Sequence, residues 1–405
     1  MKDRRHILVD ARTPVNYTMF APVHEPLRRD PRVRVSFTAS EDADKAAAIF
    51  AAAGPGTSII SPTRAALTRF DAYVTSDFTW ATLLRRPLRI QMFHGVGGKY
   101  GFDAPTESLR AWDRLFFVNR RRLRNCIAAG AIDADSPAIR LIGMPKVDCL
   151  VDGSLQRDAV LTALGLSPAL PTILYAPTWS PASSLNKLGL ALIARLRQMP
   201  VNVIVKLHDR SRDPRPQYSG GVDWIEAVRP HLRPGSAILA ASADICPYLA
   251  AADVMVTDHS SAGFEYLLLD RPLVRIHVPE LIEIANVHAD YVQLLADVAE
   301  STSNVDDTIA AVERALADPS TRRAPRRAVA ADLFHEPGTA TARCVAALYE
   351  AIALDPHPAL APGTSTRHAH PAPAPGTRTT HPAPAPSTRH PAHGTQIAEP
   401  PPCPP

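Results

Sequence analysis

Short apolar runs alternate with longer amphipathic stretches along the first 150 residues. The runs that predict strands are residues 6–10, 32–38, 57–60, 72–75, 89–93 and 115–118. Between them the pattern predicts helices, including an alanine-rich one over residues 42–53 that ends at Gly54. Strands alternating with helices are typical of a parallel sheet covered by helices on both faces. The pattern therefore predicts an N-terminal α/β unit.

The same alternation resumes after residue 150. Strands are predicted at residues 172–179, 202–207, 253–258 and 273–276, and helices at 155–164, 183–199, 245–252, 305–317 and 338–354. A segment punctuated by Gly143 and Pro145 lies between the two series and is typical of a linker. We therefore predict an N-terminal domain over residues 1–150 and a C-terminal domain over residues 151–355.

The composition changes abruptly at Pro356. Fifteen of the 40 prolines lie in residues 356–405, where His370-Pro-Ala-Pro-Ala-Pro-Gly-Thr-Arg378 recurs as His381-Pro-Ala-Pro-Ala-Pro-Ser-Thr-Arg389. Few apolar side chains are available there to offset the entropy lost on ordering. We expect a disordered Pro/Ala/His-rich tail that is a passive appendage.

Composition excludes several classes of protein. A net charge of +4 over 405 residues does not indicate a nucleic-acid partner. Five scattered cysteines without a C-x-x-C spacing argue against a disulfide framework and a zinc site, and they suit a reducing cytoplasm. No uncharged apolar run approaches ~20 residues, so we expect a soluble protein. The basic run Arg120–Arg124 is either a solvated helix face or a contact for anionic polymer or lipid.

Polar side chains follow the predicted strands at the edge where parallel sheets bind ligands. His94 and Gly95 open a glycine-rich loop that also carries Lys99 and Asp103. A lone histidine is commonly structural, but glycines let the backbone approach a ligand, and a histidine with a pKa near 6.5 suits general base catalysis. The loop therefore predicts a catalytic role for His94.

Two further strand ends carry chemistry that suits a phosphate. Lys206 and His208 share one face of their strand, where they are either a diphosphate site or a solvated edge. After the strand that ends at Asp258, Ser260 and Ser261 start a helix, whose first N–H groups attract anions. Because serine is also an ordinary N-cap, this stretch alone does not decide between a cap and a phosphate site.

Four separated blocks of this sequence, between residues 70 and 275, resemble the CDP-glycerol glycerophosphotransferase family, which builds or primes teichoic acid-type polymers. The blocks are His94-Gly95 with Lys99, Gly101 and Asp103; Tyr175-Ala-Pro177-Thr178; Lys206-Leu-His208; and Thr257-Asp258-His259-Ser260-Ser261 with Asp270-Arg271-Pro272. The sequence departs from the family pattern at Phe93 for tryptophan, Asp209 for proline and His259 for tyrosine.

The resemblance implies a GT-B type fold of two Rossmann-like domains, with the acceptor bound by the first domain and the nucleotide donor by the second. It also implies that the final helix returns to the first domain. His94 matches the general base, and Gly95, Lys99 and Asp103 match the acceptor-side loop. The residues matching the donor phosphate and nucleotide site are Lys206, His208, Thr257, Asp258, Ser260 and Ser261, and Glu265 is spaced to reach a ribose or acceptor hydroxyl.

These patterns lead to an enzyme that moves a glycerophosphate or related polyol phosphate from a CDP-activated donor to an acceptor hydroxyl. We expect a polyol-phosphate or lipid-linked acceptor, no metal, no cofactor besides the donor, and a cytoplasmic protein with peripheral contact to the inner membrane face. Two alternatives remain open. One is a GT-B nucleotide-sugar transferase or epimerase, and the other is a non-catalytic module that binds nucleotide or anionic polymer.

Overall fold

Two parallel sheets of six strands each organise the computed structural model, which describes residues 4–97 and 107–355. The strands of the first sheet are β1 (Arg5–Asp10), β2 (Val33–Thr38), β3 (Ala72–Thr75), β4 (Leu88–Met92), β5 (Arg114–Phe117) and β6 (Ile139–Leu141). Those of the second are β7 (Thr172–Tyr175), β8 (Asn202–Val205), β9 (Ala237–Leu239), β10 (Val254–Thr257), β11 (Leu273–Ile276) and β12 (Glu300–Thr302). The predicted α/β class with two Rossmann-like units is confirmed.

The strand order places a topological switch point in each sheet. The first sheet runs β2-β1-β3-β4-β5-β6, so the chain changes direction between β1 and β3. The second runs β12-β11-β10-β7-β8-β9 and changes direction between β7 and β10. Ligands of open parallel sheets bind at such points, beyond the carboxyl ends of the strands.

Helices cover both faces of each sheet. In the first unit they are α1 (Pro14–Arg29), α2 (Ala46–Ile49), α3 (Pro62–Leu67), α4 (Glu107–Arg110) and α5 (Arg120–Ala128). In the second they are α6 (Arg157–Ala163), α7 (Leu190–Leu196), α8 (Pro216–Ser219), α9 (Trp224–Val228), α10 (Cys246–Ala251), α11 (Ala262–Tyr266), α12 (Pro279–Ile284), α13 (Ala289–Val298), α14 (Val305–Ala317), α15 (Arg323–Leu333) and α16 (Ala340–Ala351).

The last helix, α16, packs on the first unit, against α1. Tyr349 of α16 donates a hydrogen bond of 2.8 Å from its hydroxyl to Asp30, at the end of α1. At its other end, the buried Asp148 carboxylate accepts from the backbone N–H groups of Gly338 and Thr341, both at 2.7 Å. A short 3₁₀ helix that contains Asp148, Pro145–Leu150, connects the two sheets. The chain therefore crosses between the units twice.

Two of the predicted elements are wrong. Residues 42–53 form three short pieces instead of one helix: 3₁₀ turns at Ala43–Lys45 and Ala51–Ala53 on either side of α2. Phe50 leaves the helical conformation and is buried against Tyr17 and Phe37, with ring centroids 5.6 and 5.0 Å away. Packing of this one large side chain outweighs the helix propensity of the alanines.

The predicted strand at residues 57–60 is reduced to a single bridge between Ile59 and Phe37. Both backbone groups of Phe37 bond to this segment, accepting from Ile60 and donating to Ser58 at 2.8 Å each. Pro62 then starts α3 at once and leaves no room for a longer strand.

The basic run of α5 is not a free surface. Arg121 and Arg124 form ion pairs with Asp332 at 2.9 and 3.3 Å, and Arg122 is buried. The predicted tail, residues 356–405, lies outside the described residues. Among the helices the structure describes, none is long and apolar enough to cross a membrane.

Candidate active site

A cleft of about 430 Å³ lies between the two units and is lined by residues of both. Its walls come from the segments that follow β1, β3 and β4 in the first unit and β7, β8, β9 and β10 in the second. The cleft therefore opens at the switch points of both sheets, where the topology favours a ligand.

His94 stands on the wall formed by the first unit, two residues beyond the end of β4. Its side chain is exposed, and its Nδ1 atom is hydrogen-bonded to the backbone carbonyl oxygen of Ser76. A carbonyl oxygen can only accept, so Nδ1 carries the proton. The neutral ring then has its lone pair on Nε2, which is the arrangement of a general base.

The glycines after His94 allow a close approach of the chain to α5. A Cβ atom on Gly97, whose φ is +85°, would lie 2.9 Å from Cδ of Arg122. The Arg122 guanidinium stacks on the ring of Phe93, 3.9 Å from its centroid, and also lines the cleft. Gly95 lies in the cleft wall, whereas Lys99 and Asp103 fall outside the described residues.

Lys206 and His208 face the cleft from the end of β8. The Lys206 ammonium is buried, donates to the Leu207 carbonyl at 2.9 Å, and takes part in no ion pair within the described chain. Burial lowers its pKa to about 8, and the nearby charges of Arg212 and Lys146 add to this effect. The His208 Nδ1 accepts from the N–H of Arg210 at 3.1 Å, so the neutral ring carries its proton on Nε2, as a donor.

Ser260 and Ser261 line the cleft immediately before α11. The hydroxyl of Ser260 accepts from the N–H of Ala262 at 3.4 Å, and the carbonyl of Ser261 accepts from Phe264 at 3.1 Å. α11 has five residues before it tightens into a 3₁₀ turn, Leu267–Leu269, so its dipole is short. An anion here would therefore be bound mainly by the hydroxyl and backbone amide groups of the two serines, and only weakly by the dipole of the short helix.

Thr257 and Asp258 lie behind the cleft and are fully buried. Thr257 donates from its hydroxyl to the carbonyl of Ala176 at 2.7 Å. The Asp258 carboxylate accepts from the N–H of Thr178 at 2.8 Å and from the N–H and hydroxyl of Ser184 at 3.1 and 2.9 Å. In this conformation they do not line the cleft, and they fix the loop that follows β7.

Glu265 does line the cleft, one helical turn beyond Ser261, and forms an ion pair with Lys146 of the connecting 3₁₀ helix. Lys146 Nζ lies 2.9 and 2.7 Å from the two carboxylate oxygens. Burial alone lowers the pKa of Lys146, but the Glu265 charge more than offsets it, and the net shift is upward. Sequence reasoning missed Lys146, because it lies in a linker 119 residues away from its partner.

The structure thus brings His94, Gly95, Lys206, His208, Ser260, Ser261 and Glu265 to one cleft, and it adds Lys146 and Arg122. None of the described histidine, cysteine and carboxylate side chains form a group of three or more that could hold a metal ion. Two Rossmann-like units with a ligand-sized cleft at the carboxyl ends of their sheets define the GT-B type of fold.

Comparison with known families identifies the family to which the protein belongs. The model of the family described as CDP-glycerol:poly(glycerophosphate) glycerophosphotransferase matches residues 65–350, more than two thirds of the chain. The protein belongs to this family and is an enzyme that transfers a polyol phosphate from a CDP-activated donor. A search of the curated proteins gives no match.

Solved structures agree on the fold. The wall teichoic acid polymerase TagF superposes with a TM-score of 0.63 at 16% identity, covering 86% of this chain and 89% of that one. S. aureus MnaA in complex with UDP gives a TM-score of 0.56 at 11% identity, covering 87% of this chain and 98% of that one. A UDP-N-acetylglucosamine 2-epimerase gives 0.55 at 13% identity, covering 88% and 99%. These are likenesses of architecture only.

Proposed function

We propose that the enzyme transfers glycerophosphate from CDP-glycerol to a hydroxyl group of a polyol-phosphate acceptor, with the reaction taking place in the cleft between the units. One observation carries the proposal: His94 stands on one wall with its Nδ1 proton committed to Ser76, and the buried cation Lys206 stands in the opposite wall. A base and a diphosphate site held apart by a cleft are the two parts that this transfer needs.

In the proposed reaction, Nε2 of His94 takes the proton of the acceptor hydroxyl while the oxygen attacks the β-phosphorus of the donor. The bond between that phosphorus and the bridging oxygen breaks, and CMP leaves with the electron pair. In the new phosphodiester, the transferred phosphate joins the acceptor oxygen to glycerol. General base assistance of this kind contributes roughly 10²–10⁴ in rate.

Charge on the diphosphate would be stabilised by groups already fixed in the cleft. Lys206 is a point charge buried in the wall, and the proton on Nε2 makes His208 a donor. Ser260 and Ser261 add hydroxyl groups close to the start of α11. Preorganised donors of this type act on developing charge without reorganisation at the moment of reaction.

Thr257 and Asp258 contribute indirectly in this proposal. Their hydrogen bonds to Ala176, Thr178 and Ser184 hold the loop after β7, which supplies Ala176, Pro177 and Trp179 to the cleft. Lys99 and Asp103 remain acceptor-side candidates on the strength of the sequence alone.

We further propose a cytoplasmic protein that contacts the membrane from its inner face through the first unit. No disulfide joins the described cysteines, which suits a reducing compartment. Leu67 and Leu84 are 71% and 73% exposed, and the N–H of Leu84 donates to the carbonyl of Ala66, so the segments that carry the two leucines are adjacent. Exposed Arg64 and Arg85 flank them, a combination suited to an anionic lipid surface.

The donor assignment is tested by thermal-shift measurements with CDP-glycerol, CDP-ribitol, UDP-N-acetylglucosamine and CMP, followed by assay of CMP release. Stabilisation by CDP-glycerol with CMP release on addition of acceptor supports the proposal. Stabilisation by the UDP-sugar alone would favour a nucleotide-sugar enzyme. Stabilisation without turnover in the presence of acceptor would indicate a binding module.

A further inference from the structure

Lys146 and Glu265 form a buried ion pair that joins the connecting 3₁₀ helix to the second unit at the cleft. Their side chains are 10% and 6% exposed, and no other ion pair of the described residues has both partners this far buried. Removing two charges from water is costly and is offset only by close geometry. The two short contacts, 2.9 and 2.7 Å, meet that requirement.

The backbone of Lys146 is held as firmly as its side chain. The residue lies in the 3₁₀ helix Pro145–Leu150, directly after a proline. Its carbonyl oxygen accepts from the thiols of Cys149 and Cys246, each with a sulfur–oxygen distance of 3.4 Å. Cys149 belongs to the connecting segment and Cys246 to α10 of the second unit, so the ammonium extends from a point anchored to both.

Glu265 keeps accepting capacity after pairing with Lys146. An ionised carboxylate offers about four lone-pair sites, and Lys146 occupies one on each oxygen. The two remaining sites suit a pair of adjacent hydroxyl groups. Glu265 also lies one helical turn beyond Ser261, which is the distance at which a group attached to a bound phosphate would meet it.

We propose that Lys146 is a positioning residue for the donor, which holds the Glu265 carboxylate so that it accepts hydrogen bonds from the two ribose hydroxyls of a nucleoside diphosphate. This inference rests on the proposed function for the presence of such a donor in the cleft. Because Lys146 lies in the segment that connects the units and Glu265 in the second unit, the ribose contact would depend on how that segment packs against the second unit.

A purely structural ion pair makes a different prediction. Its loss would lower stability and would affect all ligands of the cleft alike. A positioning role instead makes Lys146 matter for ligands that carry the hydroxyl pair and not for those that lack it. The ratio of the dissociation constants of a ligand that lacks the hydroxyl pair and of one that carries it therefore distinguishes the positioning role from the structural role.

The experiment measures the dissociation constants of CDP and 2′,3′-dideoxy-CDP by calorimetry for the unsubstituted protein, Lys146→Met, Lys146→Arg and Glu265→Gln. We expect the unsubstituted protein to prefer CDP by at least about tenfold, the loss caused by leaving a buried acceptor unsatisfied. Lys146→Met should remove most of this preference, and Lys146→Arg should retain it. If Lys146→Met does not fold, Lys146→Gln serves in its place, with the same expected loss.

A matched control is Arg157→Met. Arg157 forms a less buried ion pair with Asp253, at 2.8 Å, next to the opposite end of β10 and away from the cleft. Arg157→Met should leave the ratio of the dissociation constants of 2′,3′-dideoxy-CDP and CDP unchanged, while it lowers the stability of the protein. A Lys146→Met protein that keeps the full preference for CDP would overturn the inference.

Failure of the proposed function gives a different result. If the unsubstituted protein does not bind CDP, the donor assignment is wrong, and the same ratio measured with UDP and 2′,3′-dideoxy-UDP tests Lys146 on its own. Binding of neither nucleotide would contradict both proposals.

Discussion

The carboxylate of Asp258 accepts hydrogen bonds from both the backbone N–H and the hydroxyl of Ser184, at 3.1 and 2.9 Å. Asp258 directly follows β10 and Ser184 lies beyond the loop after β7, so the contact joins the segments that follow the two strands flanking the switch point of the second sheet. Both side chains are fully buried. The wall of the cleft formed by the second unit is therefore supported by buried hydrogen bonds to Asp258.

Replacing Asp258 with alanine should reduce stability more than it changes chemistry. Alanine leaves three buried donors of Thr178 and Ser184 without this acceptor, at about 1–3 kcal/mol each, so we expect the free energy of unfolding to fall by at least about 3 kcal/mol. Chemical denaturation measures the change. Thr257→Val, which removes one neutral bond to Ala176, is the control and should cost about 1 kcal/mol. An Asp258→Ala protein of normal stability that no longer binds donor would instead indicate direct ligand contact.

Donor affinity should depend on pH through Lys206. Burial lowers the pKa of this lysine to about 8, and only the protonated form attracts a diphosphate. Affinity for CDP should therefore be complete roughly one pH unit or more below this pKa, fall to about half near pH 8 and decline further as the pH rises. Calorimetry of CDP binding between pH 6.5 and about 9.5 gives the profile.

Lys206→Arg separates this group from others that titrate in the same range. The guanidinium stays charged throughout, so its profile should be flat above pH 8 even if its affinity is lower. Lys206→Met should weaken binding at every pH. A profile of Lys206→Arg that declines like that of the unsubstituted protein would show that another group is responsible.

Gly143 should tolerate no side chain. Its φ is +86°, and a Cβ atom there would lie 2.6 Å from the carbonyl oxygen of His335 and 2.9 Å from the Cβ of Ala340. Gly165 has a φ of +70° with no atom within 4 Å of its Cβ position. Gly165→Ala should therefore cost about 1 kcal/mol from the backbone alone, and Gly143→Ala at least about 2 kcal/mol more. Equal melting temperatures for the two variants would contradict the close packing of Gly143 against His335 and Ala340.

Contact with a membrane should depend on the paired leucines. Leu67→Glu and Leu84→Glu each replace an exposed apolar side chain with a negative charge next to arginines, so both should reduce co-flotation with vesicles containing anionic lipid. Ile284→Glu is the control, because Ile284 is 70% exposed on the second unit. Flotation that is absent for the unsubstituted protein, or unchanged by the leucine variants, would remove the membrane proposal.

Strands with a buried apolar pattern were predictable from the sequence, and shorter ones were not. β1, β3, β7 and β10 each read as apolar runs ending in polar residues, and each is found close to its predicted position. β9 and β12 contain three residues each and lie at the edge of their sheet, so they carry too little pattern to be recognised. The prediction of one helix over residues 42–53 failed because a buried phenylalanine, Phe50, interrupts a run of good helix formers.

The sequence predicted which segments form the cleft, but it did not predict which of their residues line the cleft and which support it from behind. Strand-end position placed His94 at the carboxyl edge of the first sheet, and Lys206 and Ser261 at that of the second. Position could not separate Ser261, which faces the cleft, from Asp258, which points behind it. The pairing of Lys146 with Glu265 depends on how the connecting segment packs against the second unit, and no local pattern encodes that.

The central claim is that His94 acts as the general base. The measurement is single-turnover transfer of glycerophosphate from CDP-glycerol by His94→Ala and His94→Gln, with CDP affinity determined in parallel. We predict that the rate falls by about 10²–10⁴ in both variants, while the dissociation constant of CDP changes less than about threefold. Transfer at the unsubstituted rate by either variant would contradict the account.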